Sequence, residues 1–195
     1  NVPIAVYRPH RVTGHSRTGV WQTDDLVCRL IWGCINIGAV PDIEATIELA
    51  PVDFIAGAIA ALSSLPDSID RNFHLINPRT MQLSRLVGII NQVGYPIERI
   101  PYPLWQQRML ATAASPDSPL HTAMPLFSEQ MTEHMLQIKT AMEQPDELPE
   151  WDTSNADTGL ARTDITYPEY DAELVATYLG YLAHIGFIKP PSCTA

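Results

Sequence analysis

Several features that would mark particular classes of protein are scarce in this 195-residue sequence. Only three cysteines are present, Cys28, Cys34 and Cys193, and their spacing matches neither a metal site nor a disulfide framework. No apolar run approaches the length of a transmembrane helix, and the first residues do not resemble a secretory leader. We therefore expect a protein of the reducing cytoplasm, without a bound metal and without a membrane as its partner.

Glycine-rich phosphate loops are also missing. Neither G-x-G-x-x-G, nor the looser G-x-x-G-x-x-G, nor the Walker pattern occurs anywhere in the sequence. The only two lysines are Lys139 and Lys189, and neither has a tyrosine four residues before it. The chain therefore lacks both a recognisable pyrophosphate cradle and a Tyr-x-x-x-Lys pair.

Positive charge is scarce and unevenly placed. The formal net charge is -10, and residues 117–173 contain 13 acidic against 2 basic side chains. This balance makes nucleic acid a poor partner, and a solvated outer face is the simplest account of the acidic stretch. Four of the arginines fall within 22 residues near the N-terminus: Arg8, Arg11, Arg17 and Arg29. They could bind the phosphate of a ligand, or they could pair with Asp24 and Asp25.

Periodicity and turn residues predict a chain of alternating strands and helices. The predicted strands cover residues 3–7, 45–50, 72–76 and 97–100. The predicted helices cover residues 23–37 with Thr23 as the cap, 53–65, 83–93, 103–114 and 128–142, and a last helix from Asp171 to Gly186. Residues 8–22, 115–119 and 144–157 are predicted loops. This order indicates an α/β or α+β protein in which helices dominate the second half.

One segment partly matches the nucleophile elbow of serine hydrolases. Residues 14–19 read G-x-S-x-x-G, one residue longer than G-x-S-x-G, and the next predicted helix begins only near Thr23. A loop-capping hydroxyl is the simpler role for Ser16. A serine hydrolase using Ser16 stays open as an alternative function.

The same segment carries a family resemblance. Residues 4–19, I-A-V-Y-R-P-H-R-V-T-G-H-S-R-T-G, resemble the pattern Y-R-P-G-R-I-x-G-x-S-x-T-G that follows the catalytic helix in thioester reductase domains of nonribosomal peptide synthetases. These domains are extended short-chain dehydrogenases. Further similar segments are P-V-D-F-I at 51–55, N-F-H-L-I-N-P at 72–78, G-Y-P-I at 94–97 and the tail from 158 to 191. His10 is a departure, because the family usually has glycine there.

The resemblance implies a fold and an activity. The fold would be the C-terminal part of a Rossmann-like α/β domain over residues 1–100, a mainly helical substrate and carrier-docking subdomain over 101–191, and a tail over 192–195. The parent domain would use NADPH to reduce a peptidyl or acyl thioester, held on the phosphopantetheine arm of a carrier protein, to an aldehyde or alcohol. A non-catalytic module that only docks a carrier protein is the alternative.

The resemblance also implies roles for individual residues. Tyr7, Arg8 and Pro9 would lie beside the nicotinamide of the cofactor. On the substrate side it places four residues: Ser16, Thr18, Trp21 and Thr23. The catalytic residues and the glycine-rich loop of the family have no match here, so we expect a missing N-terminal Rossmann half as a partner, and unpaired edges on strands 3–7 and 72–76. We also expect the chain alone to be inactive.

Overall fold

The computed structural model describes residues 2–47, 49–127 and 151–191. The strands are β1 (Val6–Pro9), β2 (Val12–Thr13), β3 (Ala39–Pro41), β4 (Thr46–Ile47), β5 (Ala50–Pro51), β6 (Asn72–Leu75), β7 (Met81–Gln82) and β8 (Glu98–Ile100). The helices are α1 (Leu26–Ile37), α2 (Val52–Ser63), α3 (Leu83–Gln92), α4 (Tyr102–Ala113), α5 (Ser154–Leu160) and α6 (Ala172–His184). The 3-10 helices cover Pro66–Ser68 and His121–Phe127. Within these residues no helix is both long and apolar enough to cross a bilayer.

The strands form four separate pairs. β1 pairs in parallel with β6, β2 with β5, and β3 with β8, whereas β4 and β7 are antiparallel. Parallel pairing requires a crossover, and α2 supplies it between β1 and β6. Since the described part of the chain gives each of these two strands only one neighbour, both keep a free edge, as the sequence predicts.

The β1–β6 pair is covered on one face. Phe73 and Leu75 of β6 are buried against α2 and α5, and the ring of Tyr7 stacks on Phe73 with centroids 5.2 Å apart. α5 lies close to α2 because Gly159 has no side chain, and a Cβ there would lie 2.3 Å from a methyl of Leu62. Alternate residues on the opposite face, Val6 and Arg8, are exposed.

Two further apolar clusters lie outside this unit. The larger one joins α1, α3 and α6, with Cys28, Ile90 and Leu182 among its buried residues. The other joins α1 and α4 around Trp105 and Met109. Helices before and after residue 100 therefore pack on one another in both clusters, and the domain boundary at 100 and 101 stays a prediction.

Most of the predicted helices are confirmed within two residues, but the start of α1 is not. Its N-cap is Asp25, whose carboxylate accepts a hydrogen bond from the backbone N–H of Cys28 at 3.1 Å. Thr23, the predicted cap, lies two residues upstream in a turn. Asp171 caps α6 as predicted, by accepting from the N–H of Leu174 at 2.8 Å.

Several short elements differ from the prediction. The predicted strand at 3–7 begins only at Val6, and the predicted loop at 8–22 contains β2. The predicted loop at 144–157 is wrong from Ser154 onward, where α5 begins. Its start is fixed by Asp152, which accepts from the N–H of Ser154 at 2.9 Å. The helix predicted at 128–142 lies outside the described residues.

Candidate functional site

The candidate site is built around the loop of residues 14–22, which joins β2 to the turn before α1. The loop folds back on itself through two backbone hydrogen bonds of 2.9 Å, from the N–H of His15 to the carbonyl of Val20 and from the N–H of Gly19 to the carbonyl of His15. We call this segment the site loop.

Asp53, in the first turn of α2, holds the site loop at Ser16. Its Oδ1 accepts from the backbone N–H of Ser16 at 2.8 Å, and its Oδ2 accepts from the Ser16 hydroxyl at 2.6 Å. Both are charge-assisted hydrogen bonds, the stronger kind in proteins. The Asp53 side chain is only 29% exposed, so water competes weakly for these bonds.

The hydrogen bonds also set the ionisation of Asp53. Burial by itself would raise the pKa of this carboxyl, but the hydrogen bonds from Ser16 and the nearby ring of His15 outweigh burial and hold the pKa below its usual value. Nδ1 of His15 lies 3.9 Å from Oδ2 of Asp53. Asp53 is therefore a stable anion at neutral pH and acts as an anchor rather than as a proton donor.

This geometry does not support a hydrolase. The Ser16 hydroxyl donates to a carboxylate, and among the described residues no histidine accepts its proton as in the Ser-His-Asp arrangement. Nδ1 of His15 accepts from the backbone N–H of Arg17 at 3.2 Å. The structure gives Ser16 the loop-fixing role that its sequence context favours.

The other side of the site loop rests on α6. Gly19 adopts a left-handed backbone with φ of 72°, and a Cβ there would lie 2.4 Å from the carbonyl oxygen of Thr177. Trp21 is 6% exposed and its ring lies 5.0 Å from that of Tyr178. The hydroxyl of Tyr178 donates to the carbonyl of Gly14 at 2.9 Å. The site loop is thus held between α2 and α6.

Two open clefts flank the site loop. One, of about 350 Å³, lies between Ser16 and the N-terminal half of α6. The other, of about 450 Å³, lies between β2 and the turn before α1. Residues lining the first are Ser16, Arg17, Pro168, Glu169, Asp171, Glu173, Leu174 and Thr177. Residues lining the second are Val12, Thr13, Val20, Trp21, Gln22, Asp24, Asp25 and Val52. Each cleft falls within the size range of small-ligand pockets.

The predicted substrate-side residues occupy different positions around this loop. Ser16 lines the first cleft and Trp21 the second, although most of the Trp21 ring is buried against α6. Thr18 is exposed at the tip of the loop, and Thr23 is half-buried in the following turn. The structure therefore brings the four predicted residues into one segment, and their contact with substrate stays a prediction.

The predicted cofactor residues lie at the C-terminal end of β1. The ring of Tyr7 faces the core, and its buried hydroxyl has no hydrogen-bond partner among the described residues. Arg8 lies on the exposed face and donates to Nε2 of His74 at 3.1 Å, while Pro9 is exposed. Of these side chains, Arg8 is the one placed to reach a ligand outside the chain.

These residues could form only one edge of a dinucleotide-binding site. The side chain of Arg8 and the strand end could contact a bound nicotinamide, but the sequence contains no glycine-rich turn for the pyrophosphate. The described residues also contain no group of three histidines, cysteines or acids that could hold a metal ion.

Two residues of the site were not predicted as functional. Asp53 follows Pro51 at the start of a helix, so its position was available from the sequence as a helix-start signal. Tyr178 was assigned only to the apolar stripe of the last helix. Its hydroxyl contacts residues more than 160 positions away, and no local pattern indicates such a contact.

Comparisons with known proteins connect this arrangement to a family. A model of an NAD-binding family, described as male sterility protein, matches residues 1–59. A linear gramicidin synthase of Brevibacillus parabrevis is 32% identical over 189 residues, which cover 96% of this chain and 4% of the synthase. The L-2-aminoadipate reductase of Eremothecium gossypii, in its large subunit, is 28% identical over 198 residues, covering 96% of this chain and 13% of that protein.

Solved structures extend the match to the fold. The terminal R domain of the myxalamid pathway is 35% identical with a TM-score of 0.79, and the alignment covers 97% of this chain and 46% of that domain. The reductase domain of a nonribosomal peptide synthetase from Mycobacterium tuberculosis has the same fold, with a TM-score of 0.72 at 22% identity over 95% of this chain and 47% of that domain. The chain thus spans about half of these solved domains, and by sequence and fold it belongs to the reductase (R) domain family of nonribosomal peptide synthetases, within the extended short-chain dehydrogenase superfamily.

Proposed function

We propose that this chain is the substrate-side portion of an NADPH-dependent thioester reductase. The parent domain would release a peptidyl or acyl group from a carrier protein as an aldehyde or alcohol. The observation that carries the proposal is the site loop, anchored by Asp53 and packed on α6 between two clefts, in a chain with R-domain sequence and fold. When bound, NADPH supplies the hydride that reduces the thioester carbonyl.

The chain's own contribution would be to form and hold the acyl side of the active site. The site loop is fixed from α2 through Ser16 and from α6 through Gly14, so its position changes little when a substrate enters. Such preorganisation lowers the entropic cost of orienting a reacting carbonyl. Ser16, Thr18, Trp21 and Thr23 are the proposed substrate contacts.

The proposed partner for β1 is an N-terminal Rossmann half that carries the cofactor site. Val2, Ile4 and Val6 alternate along the extended N-terminal segment and are 79%, 58% and 36% exposed. We call these three residues the apolar edge. Alternating exposed aliphatic side chains beside a free parallel strand are typical of a sheet surface that another element covers. Tyr7, Arg8 and Pro9 would then meet the nicotinamide at that boundary.

The proposed second partner is a carrier protein whose phosphopantetheine arm reaches the site loop. Arg11 and Arg17 are exposed, and neither guanidinium makes a hydrogen bond or ion pair within the described part of the chain. Arg29, by contrast, is held by Asp24 and by Thr122 of the 3-10 helix after α4. The free guanidinium of Arg17, which lines the first cleft, suits the phosphate of the arm, and both exposed arginines suit the acidic surface of a carrier.

The test is a reduction assay on the chain with and without the upstream nucleotide-binding half. Oxidation of NADPH would be followed with an acyl thioester of pantetheine as substrate. We expect turnover from the assembled protein and none from the 195 residues alone. Turnover by the chain alone would show that the catalytic groups lie within it, and no turnover by the assembled protein would contradict the reductase proposal.

The missing catalytic residues favour one alternative for the 195 residues by themselves, a docking module without catalysis. That function predicts that this chain binds the carrier protein and has no affinity for NADPH. Binding of a phosphopantetheinylated carrier protein, measured beside the assay, separates the two proposals.

A further inference from the structure

Tyr178 is the only described side chain whose hydrogen bonds join the last helix to the site loop and to the strand before it. It lies in the middle of α6 and is 6% exposed. Its hydroxyl donates to the carbonyl of Gly14 at 2.9 Å, and the same oxygen lies 2.9 Å from the Thr13 hydroxyl. Because the Tyr178 proton is used on Gly14, Thr13 must be the donor of the second bond.

The network is directed and shielded from water. Thr13 donates to Tyr178, and Tyr178 donates to Gly14, whose carbonyl also accepts from the N–H of Val52 at 3.3 Å. Thr13 is 3% exposed. Burial raises the pKa of Tyr178, so its hydroxyl stays protonated and remains a donor throughout the usual pH range. One phenol thus links α6, β2 and the first turn of α2.

The ring of Tyr178 makes a second connection. It packs against Trp21, at the other end of the site loop, with centroids 5.0 Å apart. The backbone at Gly14 and the side chain at Trp21 are therefore both held by the same residue. The tip of the loop, at Gly19, rests on Thr177 of the same helix.

We propose that Tyr178 is a positioning residue that fixes the site loop for substrate. The proposal rests on the reductase function proposed above. Tyr178 acts through Gly14, Thr13 and Trp21 and touches neither substrate nor cofactor. Its effect falls on binding of the acyl thioester, because its contacts end in the loop that separates the two clefts. NADPH binding is independent of it.

The test uses Tyr178→Phe in the assembled protein. This change removes both hydrogen bonds and keeps the ring against Trp21. We expect KM for the acyl thioester to rise at least about fivefold, which corresponds to the net free energy of one of the two lost hydrogen bonds. The KM for NADPH stays at its original value.

Two further variants test the same network. Thr13→Val, which removes the other hydroxyl at constant shape, is expected to raise the KM for the acyl thioester as well. Tyr102→Phe, in α4, is the matched control and leaves both constants unchanged.

A second readout does not depend on the reaction. Trypsin cleaves after arginine; Arg17 lies in the site loop, whereas Arg71 is exposed in the turn before β6, past the C-terminal end of α2. We expect Tyr178→Phe to accelerate cleavage after Arg17 and to leave cleavage after Arg71 unchanged. This measurement stands even if the assembled protein reduces no thioester, so it separates failure of this inference from failure of the proposed function.

Three results would overturn the inference. One is an unchanged thioester KM in Tyr178→Phe when the unmodified protein is active. Another is equal acceleration of cleavage after Arg17 and Arg71, which would reveal global destabilisation. The third is unchanged cleavage after Arg17, which would show that Tyr178 does not hold the site loop.

Discussion

Asp53 does more to fix the position of the site loop than any residue of the loop itself. One carboxylate fixes the backbone and the hydroxyl of Ser16 together, at 2.8 Å and 2.6 Å. Its folded pKa is lower than its unfolded pKa. The ionised carboxylate therefore stabilises the fold above the unfolded pKa, and this stabilisation is lost as the pH falls through the lowered folded value.

This linkage predicts the behaviour of Asp53→Asn. The amide keeps the shape of the side chain but loses the charge and one acceptor. We expect the free energy of unfolding to fall by about 1–2 kcal/mol at neutral pH, as for a charge-assisted hydrogen bond. The difference from the unsubstituted protein should shrink below about pH 4. Urea titrations at several pH values measure it, and a difference independent of pH would contradict the anchoring role.

Gly19 predicts a second effect at this scale. Gly19→Ala places a Cβ 2.4 Å from the Thr177 carbonyl on a backbone with φ of 72°. We expect a loss of at least about 2 kcal/mol in the free energy of unfolding, from strain and overlap combined. Gly180→Ala, on the exposed face of α6 with no atom within 4 Å of the added Cβ, is the matched control.

The control should change stability in the opposite direction. Alanine is favoured over glycine inside a helix, so Gly180→Ala is expected to add about 0.5–1 kcal/mol. Denaturant midpoints for the two variants provide the comparison. Equal changes in stability from both substitutions would show that Gly19 does not pack closely against α6.

Sequence patterns located the site loop but not what holds it. The G-x-S-x-x-G pattern and the family resemblance both directed attention to Ser16, whereas Tyr178 appeared only as one member of an apolar stripe. The ring of Tyr178 does satisfy that stripe, since it is buried with Leu174 and Leu182. Its hydroxyl contacts depend on how α6 packs against β2, and periodicity contains no information on that packing.

At the scale of the element, the N-terminus of α1 makes a prediction. Asp25 accepts from the N–H of Cys28, whereas the side chain of Thr23 caps nothing among the described residues. We expect Asp25→Ala to lower the free energy of unfolding by about 1 kcal/mol, the usual value of an N-cap. Thr23→Ala should change it by less than about half of that. Thermal unfolding of both variants compares the caps. A larger loss of stability from Thr23→Ala than from Asp25→Ala would show that Thr23 is the N-cap, as the sequence predicts.

Helices and strands were not equally predictable. α2, α3, α4 and α6 begin and end within two residues of prediction. α3 and α6 each have an apolar stripe that is followed by a glycine, Gly94 or Gly186, and a proline marks the start of α2 and of α4. The two-residue strands β2, β4, β5 and β7 are too short to alternate. They exist because a distant segment supplies the partner, as Ala50 does for Val12. Local sequence cannot specify such pairing.

At the scale of the whole molecule, the three apolar clusters explain why a boundary near residue 100 is hard to place from sequence. α1 contributes to two clusters. Through Cys28 it packs with α3 and α6, and through other side chains it packs with α4 in the cluster that contains Trp105. The resemblance predicted the fold class correctly, since a solved R domain aligns in three dimensions with nearly the whole chain. It could not predict how helices from both halves interleave, since that depends on shape rather than on motifs.

The apolar edge makes the last prediction. Ile4 is 58% exposed, so Ile4→Lys costs the chain itself little, and the free energy of unfolding of the isolated 195 residues should stay within about 0.5 kcal/mol. If an N-terminal Rossmann half covers this edge, the same change buries a lysine at the boundary and weakens association.

Ile185→Lys is the control, because Ile185 is 45% exposed at the C-terminal end of α6, where a cation is favoured. Association would be measured by titrating the separately expressed nucleotide-binding half into each variant. We expect at least about tenfold weaker binding for Ile4→Lys and unchanged binding for Ile185→Lys, given the penalty for an unpaired buried charge. Equal affinities would place the partner elsewhere, and the cofactor margin proposed at Arg8 and Pro9 would then lose its physical basis, because both residues adjoin the same strand edge.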